Sequence, residues 1–243
     1  MMSEQFIPAR PNNLSKAFWG RYFERSLKRH FHRCIVCGEE HLHSAMARGS
    51  SAPYPTIIAC THASWWDAVV TIVMSLRTYM LDADGMMELK QLRKYRFFSG
   101  IGMFSVVREN PRGALRSLSY ACSRLKNSNR MLWMFPQGTL IHQDLSIACD
   151  PGIGILAKKL GRVTIVPLAL RYEMLRDQHP TCWARFGNPI EVIWGEHSTI
   201  EDVTLSVTNA LTMASALLRA DAKYEDDSAY RPFIIGRRSL GNS

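Results

Sequence analysis

Thr56-Ile57-Ile58-Ala59-Cys60 runs without a break into Thr61-His62-Ala63-Ser64-Trp65-Trp66-Asp67, and the reading of this join decides the fold. The first five residues are apolar enough and short enough for a buried strand, whereas Ala68 to Leu81 is an apolar segment of helical length. The residues between them then form a strand-to-helix turn. His62 and Asp67 lie on that turn, where a tight bend folds the carboxylate back under the imidazole. A carboxylate so placed accepts the proton of one ring nitrogen, fixes the tautomer and leaves the other nitrogen to take a proton from a hydroxyl. An ordinary surface turn carries the same two residue types, so this spacing alone leaves both readings open.

Working outward, the pattern of strand followed by helix repeats. Cys34 to Gly38 reads as a first strand, followed by a polar loop through Ala52-Pro53-Tyr54-Pro55. Downstream, Phe104-Ser105-Val106-Val107-Arg108 is a short β-like segment ending on an arginine, whose planar fork of donors suits a phosphate oxyanion or a surface ion pair. Arg112 to Lys126 has helical periodicity, and Met131-Leu132-Trp133-Met134-Phe135 is a buried strand leading into the turn Pro136-Gln137-Gly138-Thr139. Pro151-Gly152 opens a helix that Gly161 ends, and Val163 to Leu170 is the next strand. A late strand pair is expected around Gly187-Asn188-Pro189, then an amphipathic helix over 200–219 and a loosely ordered tail from Ala220. The alternation predicts an α/β layered single domain with a mixed, largely parallel central sheet flanked by helices. Ligands of such sheets bind beyond the strand ends, where His62, Arg108 and Gln137 all fall.

Two stretches mix basic and aromatic residues. Residues 14–33 place Phe18, Trp19, Tyr22, Phe23, Leu27 and Phe31 near one helical stripe, with Lys and Arg over the rest, which suits either an acidic bilayer or docking on the domain. Met86 to Phe98 is a second such patch, or a solvated helical face. Gly100-Ile101-Gly102 lacks the third glycine of a dinucleotide loop.

At 243 residues with 47% hydrophobic side chains, the chain is sized for one substantial core. Its 30 Lys and Arg against 21 Asp and Glu, a net charge of +9, favour an anionic partner: a phosphate-bearing substrate, an acidic lipid surface, a carrier protein or nucleic acid. No secretory signal and no apolar run of about 18 residues is visible, so the expectation is a cytoplasmic protein whose membrane contact is peripheral, on the inner face of the cell membrane. The six cysteines are then free thiols. Cys34-x-x-Cys37 with its neighbouring histidines reads as a zinc half-site or, with the second half missing, as a strand; no metal is expected.

Four segments in order resemble the glycerolipid acyltransferase superfamily, which includes the 1-acylglycerol-3-phosphate acyltransferases. They are the H-x-x-x-x-D block His62 to Asp67, the block Gly102 to Arg108, Phe135-Pro136-Gln137-Gly138-Thr139-Leu140 in place of the family's Phe-Pro-Glu-Gly-Thr-Arg, and Ile165-Val166-Pro167-Leu168. The resemblance runs from about residue 35 to 190. It implies an O-acyltransferase with a glycerol-3-phosphate acyltransferase-like fold, divided as 1–33 an N-terminal basic amphipathic helical segment, 34–219 the acyltransferase domain and 220–243 a C-terminal tail.

The resemblance further implies transfer of a fatty acyl group from acyl-CoA or acyl carrier protein, as co-substrate with no cofactor, to a lipid hydroxyl, in first place 1-acylglycerol-3-phosphate giving phosphatidic acid. His62 and Asp67 are the catalytic candidates, and Arg108, Gln137, Gly138 and Thr139 the substrate-binding candidates. No G-x-S-x-G elbow supports a serine nucleophile. Gln137 and Leu140 depart from the family's glutamate and arginine, which leaves a non-phosphate lipid hydroxyl, such as a glycosylated or terpenoid lipid, and a catalytically silent lipid-binding relative as alternatives. No recognised motif supports nucleic acid as a partner.

Overall fold

The computed structural model describes residues 6–48, 55–107 and 110–237. Its elements follow in the order α1 (Asn13–His30), β1 (Arg33–Cys37), α2 (Glu39–Arg48), β2 (Thr56–Cys60), α3 (Trp66–Val73), β3 (Ala83–Glu88), α4 (Leu89–Lys94), β4 (Met103–Val106), α5 (Pro111–Leu125), β5 (Met131–Met134), α6 (Gly152–Leu160), β6 (Arg162–Glu173), β7 (Thr181–Phe186), β8 (Ile190–Ile193), α7 (Ile200–Tyr224) and β9 (Arg231–Ile235). A π-helical turn, Met74–Thr78, continues α3, and a 3-10 turn, Arg96–Ile101, precedes β4.

The strands join in one sheet of order β4-β3-β5-β2-β6-β7-β1-β9, with β8 also paired to β6. From β4 to β6 every pairing is parallel. β7 and β8 run antiparallel to β6, β1 is parallel to β7, and β9 closes the far edge antiparallel to β1. This is the mixed, largely parallel sheet that the sequence predicts.

β2 lies between β5 and β6, and all five of its residues are buried. Ile58 and Cys60 face the core under α1 and α3, while Ile57 and Ala59 face the core under α5, α6 and α7. Cover on both faces is why the run is apolar throughout rather than alternating. Side-chain caps mark the helix starts: Asn12 accepts from Ser15 N, Asn110 from Arg112 N ahead of Pro111, and Thr199 from Asp202 N.

Four expectations need correction. The stretch between Gly38 and Pro55 is not all loop, because α2 forms there with Glu39 and Glu40 in its first turn and buries Leu42 and Ala45. Met86 to Phe98 is not one helical patch; the chain passes from β3 to α4 to the 3-10 turn, burying Leu92 and Phe98 and exposing Tyr95. The late strands do not pair with each other, since β7 and β8 lie one after the other along β6, broken at Gly187, whose N–H donates to Pro167 O. Finally, the tail is not loose up to residue 237: α7 continues to Tyr224, β9 pairs with β1, and the Tyr230 ring packs edge-on against Trp183 at 5.0 Å.

Candidate active site

β6 is the longest strand and extends past the end of β2, whose last paired residue, Cys60, lies opposite Leu168. Thr61 remains tied to this overhang. Its N–H donates to Leu168 O at 3.0 Å and its hydroxyl accepts from Leu170 N at 2.9 Å. The chain then turns through His62 to Trp65 and enters α3, with Asp67 in the first helical turn.

Asp67 organises that turn. Its Oδ2 accepts from Ala63 N at 2.7 Å, Ser64 N at 2.8 Å and His62 Nδ1 at 2.9 Å. Two of these donors are main-chain groups of the turn that precedes α3, so the carboxylate closes that turn while gripping the imidazole. The Asp67 side chain is 0% exposed and that of His62 22%. Burying a carboxylate costs on the order of several kcal/mol unless donors replace its water. Here Oδ1 finds a further donor, the Tyr172 hydroxyl at 2.6 Å. An ionised carboxylate only accepts, so Nδ1 carries the imidazole proton and Nε2 is the basic nitrogen. Burial, then the Asp67 charge, push the Tyr172 phenol well above its ordinary range, which keeps it a donor.

A second loop holds the histidine's main chain. After β5, Gly138 adopts φ 69° and donates its N–H to Phe135 O at 3.0 Å, closing a turn that a β-carbon would strain. That turn buries Gln137, whose Oε1 accepts from His62 N at 2.8 Å. Ile141 N donates to His62 O at 2.8 Å, and the Phe135 ring stacks on the imidazole at 4.3 Å between centroids. Further along, Gln143 makes two bonds to the main chain of Tyr172, accepting from its N at 3.1 Å and donating to its O at 3.2 Å. Asp144 pairs with Arg171 at 2.8 Å, and the Arg171 hydrogen bond is the main reason its carboxyl lies below the usual aspartate range.

Of the residues singled out in the sequence, His62, Asp67 and Gln137 are in direct contact. Gly138 shapes the turn and spends its N–H within it. Thr139 and Leu140 are exposed beside it, Leu140 at 57%. Arg108 lies outside the described residues. Tyr172 and Gln143 were missed. Tyr172 shares the parity of Val166, Leu168 and Leu170, which all face one core, so strand alternation carries a signal for a buried hydroxyl there. As for Cys34 and Cys37, both are buried in β1 but turn to opposite faces: Cys34 joins the core under α1, and Cys37 bonds Tyr230 on the α7 side.

Residues 34–171 match the model of a protein family described as Acyltransferase. The chain belongs to this family. It is also similar to the 1-acyl-sn-glycerol-3-phosphate acyltransferase of Streptococcus pneumoniae (strain ATCC BAA-255 / R6), at 28% identity over 143 residues that cover 56% of this chain and 50% of that protein. The chain thus spans about half the length of the curated relative it matches. The part of the chain that matches the Acyltransferase family contains His62, Asp67, Gln137 and Gln143 and ends at Arg171, one residue before the phenol that meets Asp67.

Proposed function

We propose that this acyltransferase moves a fatty acyl group from acyl-CoA or acyl carrier protein to the hydroxyl of 1-acylglycerol-3-phosphate, forming phosphatidic acid. The reading is carried by a single observation: a wholly buried Asp67 holds Nδ1 of a partly exposed His62, which assigns the lone pair to Nε2. His62 Nε2 takes the proton of the acceptor hydroxyl as its oxygen attacks the thioester carbonyl. The C–S bond then breaks, and the leaving thiolate receives that proton from the imidazolium, leaving an ester and a free thiol. Asp67 stabilises the imidazolium between the two transfers.

The name of the pneumococcal relative supports the phosphate-bearing acceptor. In this proposal Arg108 contacts the phosphate, and Gln137, Gly138 and Thr139 form the wall beside the base. A second acceptor class, an uncharged lipid alcohol, is favoured by the exposed Leu140 at the position where the family's motif ends on a cation.

Both acceptors are lipids, and we infer that the chain meets them on the inner face of the cell membrane. Among the described residues no helix is long and apolar enough to cross a membrane. Leu14, Phe18 and Tyr22 are exposed on α1 and line one groove with Arg21 and Arg25, a mixture suited to anionic headgroups. Trp65 is exposed on the dyad's own turn.

The test is release of free thiol from acyl-CoA and acyl carrier protein in the presence of lysophosphatidic acid, glycerol 3-phosphate or uncharged lipid alcohols, beside His62→Ala. Release that needs lysophosphatidic acid and His62 is expected. Release only with an uncharged alcohol keeps the chemistry and moves the substrate. No His62-dependent release with any pair favours a silent lipid-binding relative.

A further inference from the structure

We infer that Tyr172 is a positioning residue for the His62–Asp67 pair, donating its hydroxyl to Asp67 Oδ1 so that the carboxylate keeps its orientation and a moderated hold on the imidazole. The inference rests on reading His62 as the base. The four donors on Asp67 divide unevenly: Ala63 N, Ser64 N and His62 Nδ1 share Oδ2, whereas Tyr172 alone among the described residues meets Oδ1. Without the phenol, one oxygen of a buried anion faces apolar packing, and the carboxylate gains a reason to rotate.

The phenol is itself held. Its ring packs near Phe31 at 5.9 Å, and Gln143 clamps its main chain from the loop that also carries Gln137 and Ile141. The contacts close a circuit: His62 to Asp67, Asp67 to Tyr172, Tyr172 to Gln143, and the Gln143 loop back to both main-chain groups of His62. A side chain serving only to fill the core needs no hydroxyl in this place.

The effect on protonation has a definite sign. A hydroxyl donating to a carboxylate draws electron density from it and weakens its pull on the neighbouring imidazolium. Removing the hydroxyl makes Asp67 a stronger acceptor for the histidine's proton, so His62 gives its proton up less readily. Among the described residues, the other titratable groups facing the pair are thiols: Cys60 on β2 and Cys182 on β7, both pushed up chiefly by burial and hence neutral, with Cys34 on β1 beside Cys182. On α1, the His30 ring lies 5.1 Å from the ring of Trp66, the first residue of α3. Arg171 and Glu173 alternate to the other face of β6.

Tyr172→Phe keeps the ring and removes only the hydroxyl. In protein labelled with 15N-histidine, with His62→Ala to assign the signal, the His62 titration midpoint should rise by about half a pH unit or more in Tyr172→Phe. Incorporating 3-fluorotyrosine at position 172, a stronger donor of the same shape, should lower it. An unchanged or lowered midpoint in Tyr172→Phe, or, should that variant fail to fold, an unchanged midpoint with fluorotyrosine, overturns the inference. These readouts need no substrate, so they stand or fall apart from the acyltransferase assay. In that assay Tyr172→Phe should lower kcat about tenfold or more while the KM of each substrate stays within about twofold; a wild-type kcat in the folded variant also overturns the inference.

Discussion

Gln137 holds the main-chain N–H of His62 through its Oε1 at 2.8 Å. A glutamate at this position offers the same acceptor, so the chain's departure from the family's glutamate preserves a link between two motifs. The oxygen of Gln137 is engaged by the protein itself, which makes the side chain first a brace for His62.

Gln137→Leu should therefore lower both stability and turnover, because it strands the main-chain N–H of His62, the proposed base, at a cost of about 1–3 kcal/mol. Gln137→Glu keeps the acceptor and should retain more activity than the leucine variant. Thermal unfolding and initial rates of thiol release check both.

His62→Ala should reduce turnover about 10²–10⁴-fold, the usual contribution of a general base, with little loss of stability since the imidazole is partly exposed. Asp67→Asn should lose both. An amide presents only one oxygen, so its NH2 must face either the Ala63 and Ser64 N–H groups or the Tyr172 hydroxyl. Comparing unfolding midpoints of the two variants separates a chemical loss from a structural one.

Glu24 links α1 to the π turn, with Oε2 2.7 Å from Arg77 Nε and Oε1 2.7 Å from Lys28 Nζ. The Lys28 hydrogen bond, partly opposed by burial and assisted by Arg77, holds its carboxyl below the usual glutamate value of 4.5. Its stabilisation is thus fully present above about pH 4.5 and is lost as the pH falls through the lowered folded value. In melting curves recorded from about pH 3 to 7, Glu24→Gln should be less stable than the wild type near neutrality and converge with it at the acid end.

Removal of residues 229–243 should destabilise the chain, although its sequence looks dispensable. It deletes β9, uncovers the edge of β1, and takes away Ile234 and the Tyr230 ring. A loss of about 3 kcal/mol or more, read as a fall in Tm of about 6–12 °C, is expected. An unchanged Tm contradicts a structural role for the strand.

The sequence made the sheet's centre legible because β2, β5 and β6 are apolar runs bounded by clear turn residues, and fully covered strands can have little else. It also made the His62–Asp67 contact legible, since that contact spans one local turn. α2 was hidden because it buries little, and β9 because its partner β1 is almost two hundred residues away, a pairing that no local pattern encodes. Tyr172 was hidden for the same reason: the phenol reaches Asp67 across 105 positions of chain.

That separation has a consequence for how the protein comes into being. The turn that joins imidazole to carboxylate can close as soon as its own residues are made. The phenol arrives only after β6 has threaded beside β2, and β6 is pinned in turn by β7. On the proposed reading, a nascent chain therefore holds the His62–Asp67 pair before Tyr172 can join it, so full proton-transfer competence would report completion of the sheet.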